Sequence, residues 1–160
     1  MDIFAFAIQM ERDGEQYYRD MASKAKHPGL KSILSVLADD EHKHAHIVSE
    51  LQSAIPDMPA TNVLDSAKNV FQQMKDFGGE IDLSGDQEQL YRDAMVLEER
   101  SISFYQDRAD QVKQPEQKAL FKRLAEEERK HYRLLQDLAD FVRRPKNWLE
   151  NAEFFHLDDY

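Results

Sequence analysis

The sequence contains an internal repeat. Residues 8–51 and 95–138 align without a gap at an offset of 87, and 13 of the 44 aligned pairs are identical. A supersecondary unit that occurs twice in one chain usually builds one pseudo-symmetric structure. Each half carries a glutamate, then a tyrosine seven residues later, then a Glu-x-x-His motif whose glutamate lies 30 residues after the first. The identical pairs include Glu11/Glu98, Tyr18/Tyr105, Pro28/Pro115, Glu41/Glu128 and His44/His131.

Length and composition indicate one domain and exclude several kinds of site. A chain of 160 residues with 41% hydrophobic residues suits a single core. The absence of cysteine excludes disulfides, thiolate metal ligands and cysteine nucleophiles, and is compatible with a cytoplasmic location. We expect no signal peptide and no membrane span. A net charge of −10 disfavours nucleic acid and anionic membranes as partners, and favours small cations.

The apolar residues recur with a helical period along nearly the whole chain, and no segment alternates in the manner of a strand. We predict an all-α protein with long helices over residues 3–26, 30–53, 84–111 and 115–143, and a shorter amphipathic helix over residues 62–77. The third long helix is expected to begin with Ser84 or Asp86 as its N-cap. Pro28 and Pro115 mark the turns of two helical hairpins, because proline disfavours helix in the residue before it.

The turn positions predict that the repeated glutamates lie at one level. Two residues at equal height in an antiparallel hairpin are equidistant from its turn, and the midpoints of 11 and 41 and of 98 and 128 are residues 26 and 113. Each glutamate pair should then lie ~22 Å from its turn, at 1.5 Å per residue. Residues 52–88 can return the chain along the bundle, so that the second and third long helices run parallel. The predicted architecture is an antiparallel four-helix bundle of two helical hairpins joined by a long crossover that contains a short helix.

The repeated glutamates and histidines fall on apolar helix faces. A Glu-x-x-His motif places both side chains on one face of a helix. A single Glu-x-x-His motif would more often lie on a solvated helix surface, but both copies of the motif here lie among leucine, valine and phenylalanine. Four ionised carboxylates in an apolar core are too costly unless they are neutralised, and two divalent cations balance their charge. We therefore predict a di-iron or di-manganese site whose ligands are Glu11, Glu41, His44, Glu98, Glu128 and His131.

Two choices among the candidate residues rest on the repeat. Glu99 is an alternative to Glu98, but the register of the repeat and the tyrosine seven residues later favour Glu98. Tyr18 and Tyr105 are the candidate catalytic residues. We predict that they are core aromatics whose hydroxyls bond to ligand carboxylates, rather than redox-active groups.

With these residues in place, the chain resembles the rubrerythrins of the ferritin-like superfamily over residues 1–143. The segments MASKAK, LADDEHKHAHIV and LAEEERKHYRLL look like the corresponding rubrerythrin helices. The resemblance implies a ferritin-like bundle with two iron ions per chain, for which manganese can substitute and zinc can bind adventitiously. It further implies that the bridging ligands are Glu41 and Glu128, that one iron is held by Glu11 and His44, and that the other is held by Glu98 and His131.

The same resemblance implies a function and partners. Rubrerythrins reduce hydrogen peroxide or oxidise Fe(II), so we expect a non-haem di-iron oxidoreductase that protects against oxidative stress by reducing hydrogen peroxide or dioxygen. An external electron donor such as a rubredoxin or a flavoprotein, a homodimeric assembly and a cytoplasmic location are expected with it.

Two features depart from the family pattern. Full rubrerythrins carry a rubredoxin-type iron site with four cysteines, and this chain has none. Rubrerythrins also carry an additional carboxylate one turn after the third-helix glutamate, where this chain has Ser101. The six ligands that are left are equally those of bacterioferritin-type ferroxidase centres. The alternatives are therefore a ferroxidase that sequesters iron, and a structural bundle that holds a redox-inert metal.

The last part of the chain, residues 144–160, is an aromatic-rich tail. Its aromatic residues are Trp148, Phe154, Phe155 and Tyr160. This density of aromatic residues argues against free disorder, so we expect the tail to pack on the bundle or on a partner subunit. The tail is too short for a cage-forming fifth helix, which favours a dimer over a large iron-storage particle.

Overall fold

The computed structural model describes residues 2–54, 61–77 and 87–150. Across these ranges the protein consists of helices and contains no strand, as predicted. The helices are α1 (Ile3–Lys24), α2 (Pro28–Leu51), α3 (Val63–Phe77), α4 (Glu88–Gln111), α5 (Pro115–Arg143) and α6 (Pro145–Glu150). No helix in the described part of the chain is long and apolar enough to cross a membrane.

Local chemistry sets the beginning of most long helices. The Asp2 carboxylate caps α1 by accepting a hydrogen bond from the Ala5 amide at 2.8 Å. Helices α2 and α5 both begin with proline, whose fixed φ suits the first helical position and whose missing N–H would have no partner there. The expected start of α4 is wrong, because α4 begins at Glu88 and its N-cap is Gln87, which makes no side-chain capping bond. Ser84 and Asp86 lie outside the described residues.

The long helices form the two predicted hairpins, α1 with α2 and α4 with α5. Contacts across the bundle give the direction of the helices. Tyr18 of α1 bonds Glu98 of α4, and Tyr105 of α4 bonds Glu11 of α1. The later residue of α1 thus pairs with the earlier residue of α4, and the earlier residue of α1 pairs with the later residue of α4. Helices α1 and α4 are therefore antiparallel. Since α2 is also antiparallel to α1, α2 and α4 run parallel, and α3 lies on the crossover between them.

Helix α3 covers the side of the bundle formed by α2 and α5. It comes so close to the first turn of α2 that a Cβ atom at Gly29 would lie 2.6 Å from Val70 Cγ1 and 2.8 Å from Met74 Cε. A side chain larger than hydrogen would therefore require the side chains of Val70 and Met74 to move. The position explains why glycine follows Pro28 in the first hairpin.

A layer of charged side chains divides the hydrophobic core into two clusters. The larger cluster lies at the end of the bundle that carries the first hairpin turn, and its fully buried residues include Leu30, Ile33, Leu37, Phe71, Leu135 and Phe141. The smaller cluster lies at the opposite end, which carries the second hairpin turn, and includes Val48, Leu51, Tyr105, Phe121 and Leu124. Apolar packing on both sides thus separates the charged layer from the two ends of the bundle.

The short helix α6 packs against α3 and α5. The Trp148 ring lies 4.6 Å from the Phe71 ring and 5.6 Å from the Phe141 ring, measured between centroids. Trp148 is buried by these contacts. Phe154, Phe155 and Tyr160 lie outside the described residues, so their predicted packing stays a prediction.

Candidate metal centre

Six buried side chains meet in the charged layer of the core. None of them is more than 3% exposed. They form two overlapping groups, in each of which the candidate ligand atoms lie within 4.8 Å of one another. One group is Glu11, Glu41, His44 and Glu128, and the other is Glu41, Glu98, Glu128 and His131. Because Glu41 and Glu128 belong to both groups, each can bridge two ions.

The antiparallel packing of α2 and α5 brings the two Glu-x-x-His motifs together. His44 Nδ1 lies 3.0 Å from Glu128 Oε1, and His131 Nδ1 lies 3.1 Å from Glu41 Oε1. The two imidazole rings face each other with centroids 5.8 Å apart and planes 15° from parallel. The sequence repeat thus becomes an approximate twofold symmetry about the centre.

The donor atoms fit a pair of cations. The Oε2 atoms of Glu11, Glu98 and Glu128 are buried and have no hydrogen-bond partner among the described residues. A buried unsatisfied polar atom costs ~1–3 kcal/mol, and a charged one costs more. A divalent ion in each group would engage these oxygens. Carboxylates with one imidazole per ion suit iron and manganese, and the chain offers no thiolate for softer metals.

The two bridging carboxyl groups favour the neutral form when no metal is bound. Burial raises the pKa of Glu41 well above its usual value, and the neighbouring carboxylates raise it further. Burial and the charges of Glu11 and Glu98 raise the pKa of Glu128 in the same way. By contrast, burial alone would raise the pKa of Glu11, but hydrogen bonding with Glu41 and attraction to His44 lower it to about 2.

The two histidines favour the charged form. Burial acts to lower the pKa of His44, but the carboxylates of Glu11 and Glu128 outweigh it and raise this pKa to about 10. Burial is likewise outweighed at His131, whose pKa is raised well above its usual value by Glu98 and by a hydrogen bond to Asp40. These shifts favour protonation of Glu41, Glu128, His44 and His131 in the metal-free centre, where four such protons would balance the four carboxylate charges.

We predict that metal loading at pH 7 releases up to ~4 protons per two ions, because coordinating carboxylates and imidazoles must be deprotonated. All four protonated groups have a raised pKa in the metal-free protein, so protons compete with the metal and the affinity should increase as the pH rises. Calorimetric titration in buffers of different ionisation enthalpy measures the number released. Release of fewer than two protons would contradict this description of the metal-free centre.

Tyr18 and Tyr105 hold the two outer glutamates. The Tyr18 hydroxyl donates to Glu98 Oε1, and the Tyr105 hydroxyl donates to Glu11 Oε1. Burial and the nearby carboxylates raise the pKa of both tyrosines well above the usual value, so both hydroxyls remain protonated donors. Each bond occupies one oxygen of its glutamate. The other oxygen, Oε2, makes no hydrogen bond to any of the described residues, which leaves it available to an ion.

Asp40 is a residue of the centre that the sequence analysis missed. It is buried, and its Oδ2 accepts a hydrogen bond from His131 Nε2 at 2.9 Å and another from the Thr61 hydroxyl. A bond of this kind fixes the histidine tautomer and leaves the other nitrogen free for a metal. The repeat contained a signal for it, since Asp40 aligns with Glu127, which is also acidic and buried.

A cavity of about 880 Å³ lies between α1 and α4, and no sequence pattern indicated it. Its wall includes the ligand residues Glu41 and Glu98 and the hydroxyl-bearing Tyr18. Ser101 also lines it, and the Ser101 Oγ donates to the Leu97 carbonyl at 3.2 Å. No carboxylate stands at the position of Ser101. The neighbouring alternative ligand, Glu99, is exposed.

Comparison with known proteins agrees with the geometry. The rubrerythrin family model matches residues 2–139, a stretch that contains all six buried ligand candidates. No curated protein and no solved structure matches the chain. The family match extends over most of the chain and supports the resemblance seen in the sequence, and it explains why carboxylate and imidazole groups meet in the core. The chain belongs to the rubrerythrin family.

Proposed function

We propose that the protein is a di-iron oxidoreductase that reduces hydrogen peroxide or dioxygen. One observation carries the proposal: two buried ligand groups share Glu41 and Glu128. Shared carboxylates would hold two ions in one centre, so that each ion could supply one electron to a two-electron reaction. Membership of the rubrerythrin family supports iron as the metal.

The chain's own residues would hold and protect the ions. Glu11 and His44 would bind one ion, and Glu98 and His131 would bind the other, with the shared glutamates between them. Bound iron supplies redox chemistry that no side chain here can supply, namely one electron from each Fe(II). The protein's contribution is to fix the ligands through Tyr18, Tyr105 and Asp40, and to surround them with apolar side chains that exclude water.

We predict that the protein binds two iron ions per chain. The charge balance requires two divalent ions for four carboxylates, and there is one imidazole for each ion. Elemental analysis after anaerobic Fe(II) loading and desalting measures the number. A result of one ion or none per chain would contradict the dinuclear site, and zinc would have to be excluded from the preparation because it can occupy such ligands.

Oxidation of the loaded protein tests the activity. Anaerobic titration with hydrogen peroxide should oxidise both Fe(II) ions with one equivalent of oxidant, because peroxide accepts two electrons. Repeated turnover requires an external reductant, and we propose a rubredoxin or a flavoprotein because the chain itself has no cysteine-ligated iron. If neither peroxide nor dioxygen oxidises the iron, the proposed activity is wrong. The protein is then better described as a structural bundle that holds an inert metal.

A second function is favoured by one specific observation. The ligand set lacks a carboxylate at Ser101, and the six remaining ligands are those of a ferroxidase centre. A ferroxidase that sequesters iron would oxidise many Fe(II) ions per chain and retain the product. Sedimentation of the protein after aerobic iron loading separates the alternatives, since a particle with an iron core is far heavier than the homodimer that we propose.

A further inference from the structure

We infer that the cavity between α1 and α4 binds a neutral organic molecule with an apolar body and a terminal oxygen function, the chemical class of alkyl and aryl hydroperoxides. The inference rests on the proposed function, because it names the class of oxidant that would be reduced at the same centre. Its evidence is independent of the ligand set, and comes from the place, size and lining of the cavity.

The cavity lies on the side from which a molecule can reach the centre. Helix α3 covers the α2 and α5 side, whereas nothing in the described part of the chain packs over α1 and α4. Glu41, Glu98 and Tyr18 form part of the cavity wall. A molecule bound in the cavity would therefore meet the metal ligands at its inner end.

The cavity has room for a molecule much larger than hydrogen peroxide. Its volume of about 880 Å³ compares with ~30 Å³ for a water molecule, which is close to hydrogen peroxide in size. Pockets for small organic ligands have volumes of ~300–1,000 Å³. The available space thus corresponds to an organic molecule.

The lining of the cavity is mainly apolar. The exposed large hydrophobic residues found among the described residues are Phe6, Val96 and Leu97, with exposed fractions of 50%, 47% and 37%, and all of them line this cavity. Single exposed apolar residues are ordinary, but a cluster around a cavity marks a binding surface. The Phe6 and Phe104 rings lie 5.2 Å apart along one wall. An apolar body would bury these side chains.

The charges of the cavity wall select against an anion. Apart from the ligand glutamates, whose charge the two ions would balance, the acidic residues Asp13 and Glu99 line the cavity, whereas Arg100 is the one cationic residue of the wall among the described residues. A carboxylate head group, as in a fatty acid, would be repelled. A neutral hydroperoxide or alcohol would not.

Two small residues keep the inner end of the cavity open. Gly14 and Ser101 are equivalent positions of the repeat, each three residues after an outer glutamate, and both line the cavity. A Cβ atom at Gly14 would already lie 3.4 Å from the Glu41 carboxylate. A larger side chain at either position would occupy the space beside the carboxylates, where the oxygen function of the bound molecule would lie.

The reaction of this substrate class balances with the proposed function. A hydroperoxide ROOH takes up two electrons and two protons, its O–O bond breaks, and the products are the alcohol ROH and water. Two Fe(II) ions supply the two electrons and become two Fe(III) ions. The alcohol retains the apolar body and the neutral oxygen function, so it serves as an unreactive probe of binding.

Binding is tested with 2-phenyl-2-propanol and the zinc-loaded protein by calorimetric titration. We expect saturable binding of one molecule per chain. Ser103→Trp, in the cavity wall, should weaken binding at least tenfold, and Ser101→Leu should do the same. Gln106→Trp is the matched control, because it adds the same ring at an exposed position of α4 outside the cavity. Circular dichroism and metal analysis verify that each variant is folded and loaded.

The rates of oxidation of the Fe(II)-loaded protein provide a second, kinetic test. Ser103→Trp should slow oxidation by cumene hydroperoxide at least tenfold more than it slows oxidation by hydrogen peroxide, whereas Gln106→Trp should leave both rates within twofold of the parent. Absence of saturable alcohol binding in the parent, or equal binding in Ser103→Trp, would overturn the inference. The inference would also be overturned if the protein forms a dimer that Leu97→Glu dissociates. A second copy of the chain, and not a small molecule, would then cover this face.

The inference and the proposed function fail in different ways. If hydrogen peroxide oxidises the iron but the alcohol does not bind, the substrate class is wrong and the proposed function stands. If the alcohol binds as expected but neither peroxide oxidises the iron, the cavity is a binding site and the proposed function is wrong.

Discussion

We expect Glu41→Leu to abolish the binding of both metal ions and to leave the helical bundle folded. Glu41 belongs to both ligand groups, so its loss removes a ligand from each ion at once. The bundle should survive because burial already raises the pKa of Glu41 and favours its neutral form in the metal-free protein. Replacing a buried ionisable group with an apolar residue of similar volume is often neutral or stabilising.

Thermal unfolding with and without metal measures this effect. An ion that binds only the folded protein stabilises it by ~4 kcal/mol when its concentration is 1,000 times the dissociation constant. For a domain of this size, that corresponds to a rise in Tm of roughly 8–16 °C. The parent should show the rise, and Glu41→Leu should not.

Glu50→Leu is the matched control for this variant, since Glu50 is an exposed glutamate of the same helix whose visible ion pair is with His46 at the surface. It should retain two ions and the full rise in Tm. Loss of helical circular dichroism in metal-free Glu41→Leu at 25 °C would show that the glutamate is needed for folding. Retention of two ions would show that it is not a shared ligand.

The second large effect concerns Ser101→Glu. In rubrerythrins the additional carboxylate at this position lets one iron exchange ligands when its oxidation state changes. Ser101 lines the cavity beside Glu98 and offers no carboxylate. We therefore expect peroxide and dioxygen to oxidise the parent Fe(II) centre at similar rates, within about tenfold, a difference of ~1.4 kcal/mol in activation free energy.

Ser101→Glu should shift the preference toward peroxide by more than ~100-fold, which corresponds to ~2.7 kcal/mol between the two barriers. Stopped-flow oxidation with each oxidant measures both rate constants. Ser103→Glu is the control, because it introduces the same charge into the exposed part of the cavity wall on the same helix. A parent that already prefers peroxide by several orders of magnitude, with no change in Ser101→Glu, would refute the argument from ligand exchange.

Much of the fold follows from the sequence because the repeat and the helical period are local information. The buried residues of α2 and α5 include those that the helical period predicts, among them Leu34, Leu37 and Leu124. The residues at which helices begin are harder to predict from sequence than the residues that face inward. The N-cap preference pointed to Ser84 or Asp86, but α4 begins at Glu88 without a side-chain cap, because packing of the amphipathic face stabilises a helix more than its cap does.

The pairing of tyrosines with glutamates needed the tertiary structure. The sequence predicted that each tyrosine hydroxyl bonds to a ligand carboxylate, but it did not say which one. A tyrosine seven residues from a glutamate lies ~10 Å from it along the helix. Neither tyrosine can therefore reach the glutamate of its own helix. The antiparallel arrangement of α1 and α4 places Tyr18 at the level of Glu98 and Tyr105 at the level of Glu11.

The sequence by itself determined the class of fold, the two hairpins and the six residues that meet in the core, because each of these depends on spacing within one helix or on the symmetry of the repeat. The tertiary structure alone decided the contact of Asp40 with His131 and Thr61, and the cavity between α1 and α4. Helical period fixes which side chains face inward. The distance between two helices depends on how side chains from separate parts of the chain fill the space between them, and no local pattern encodes it.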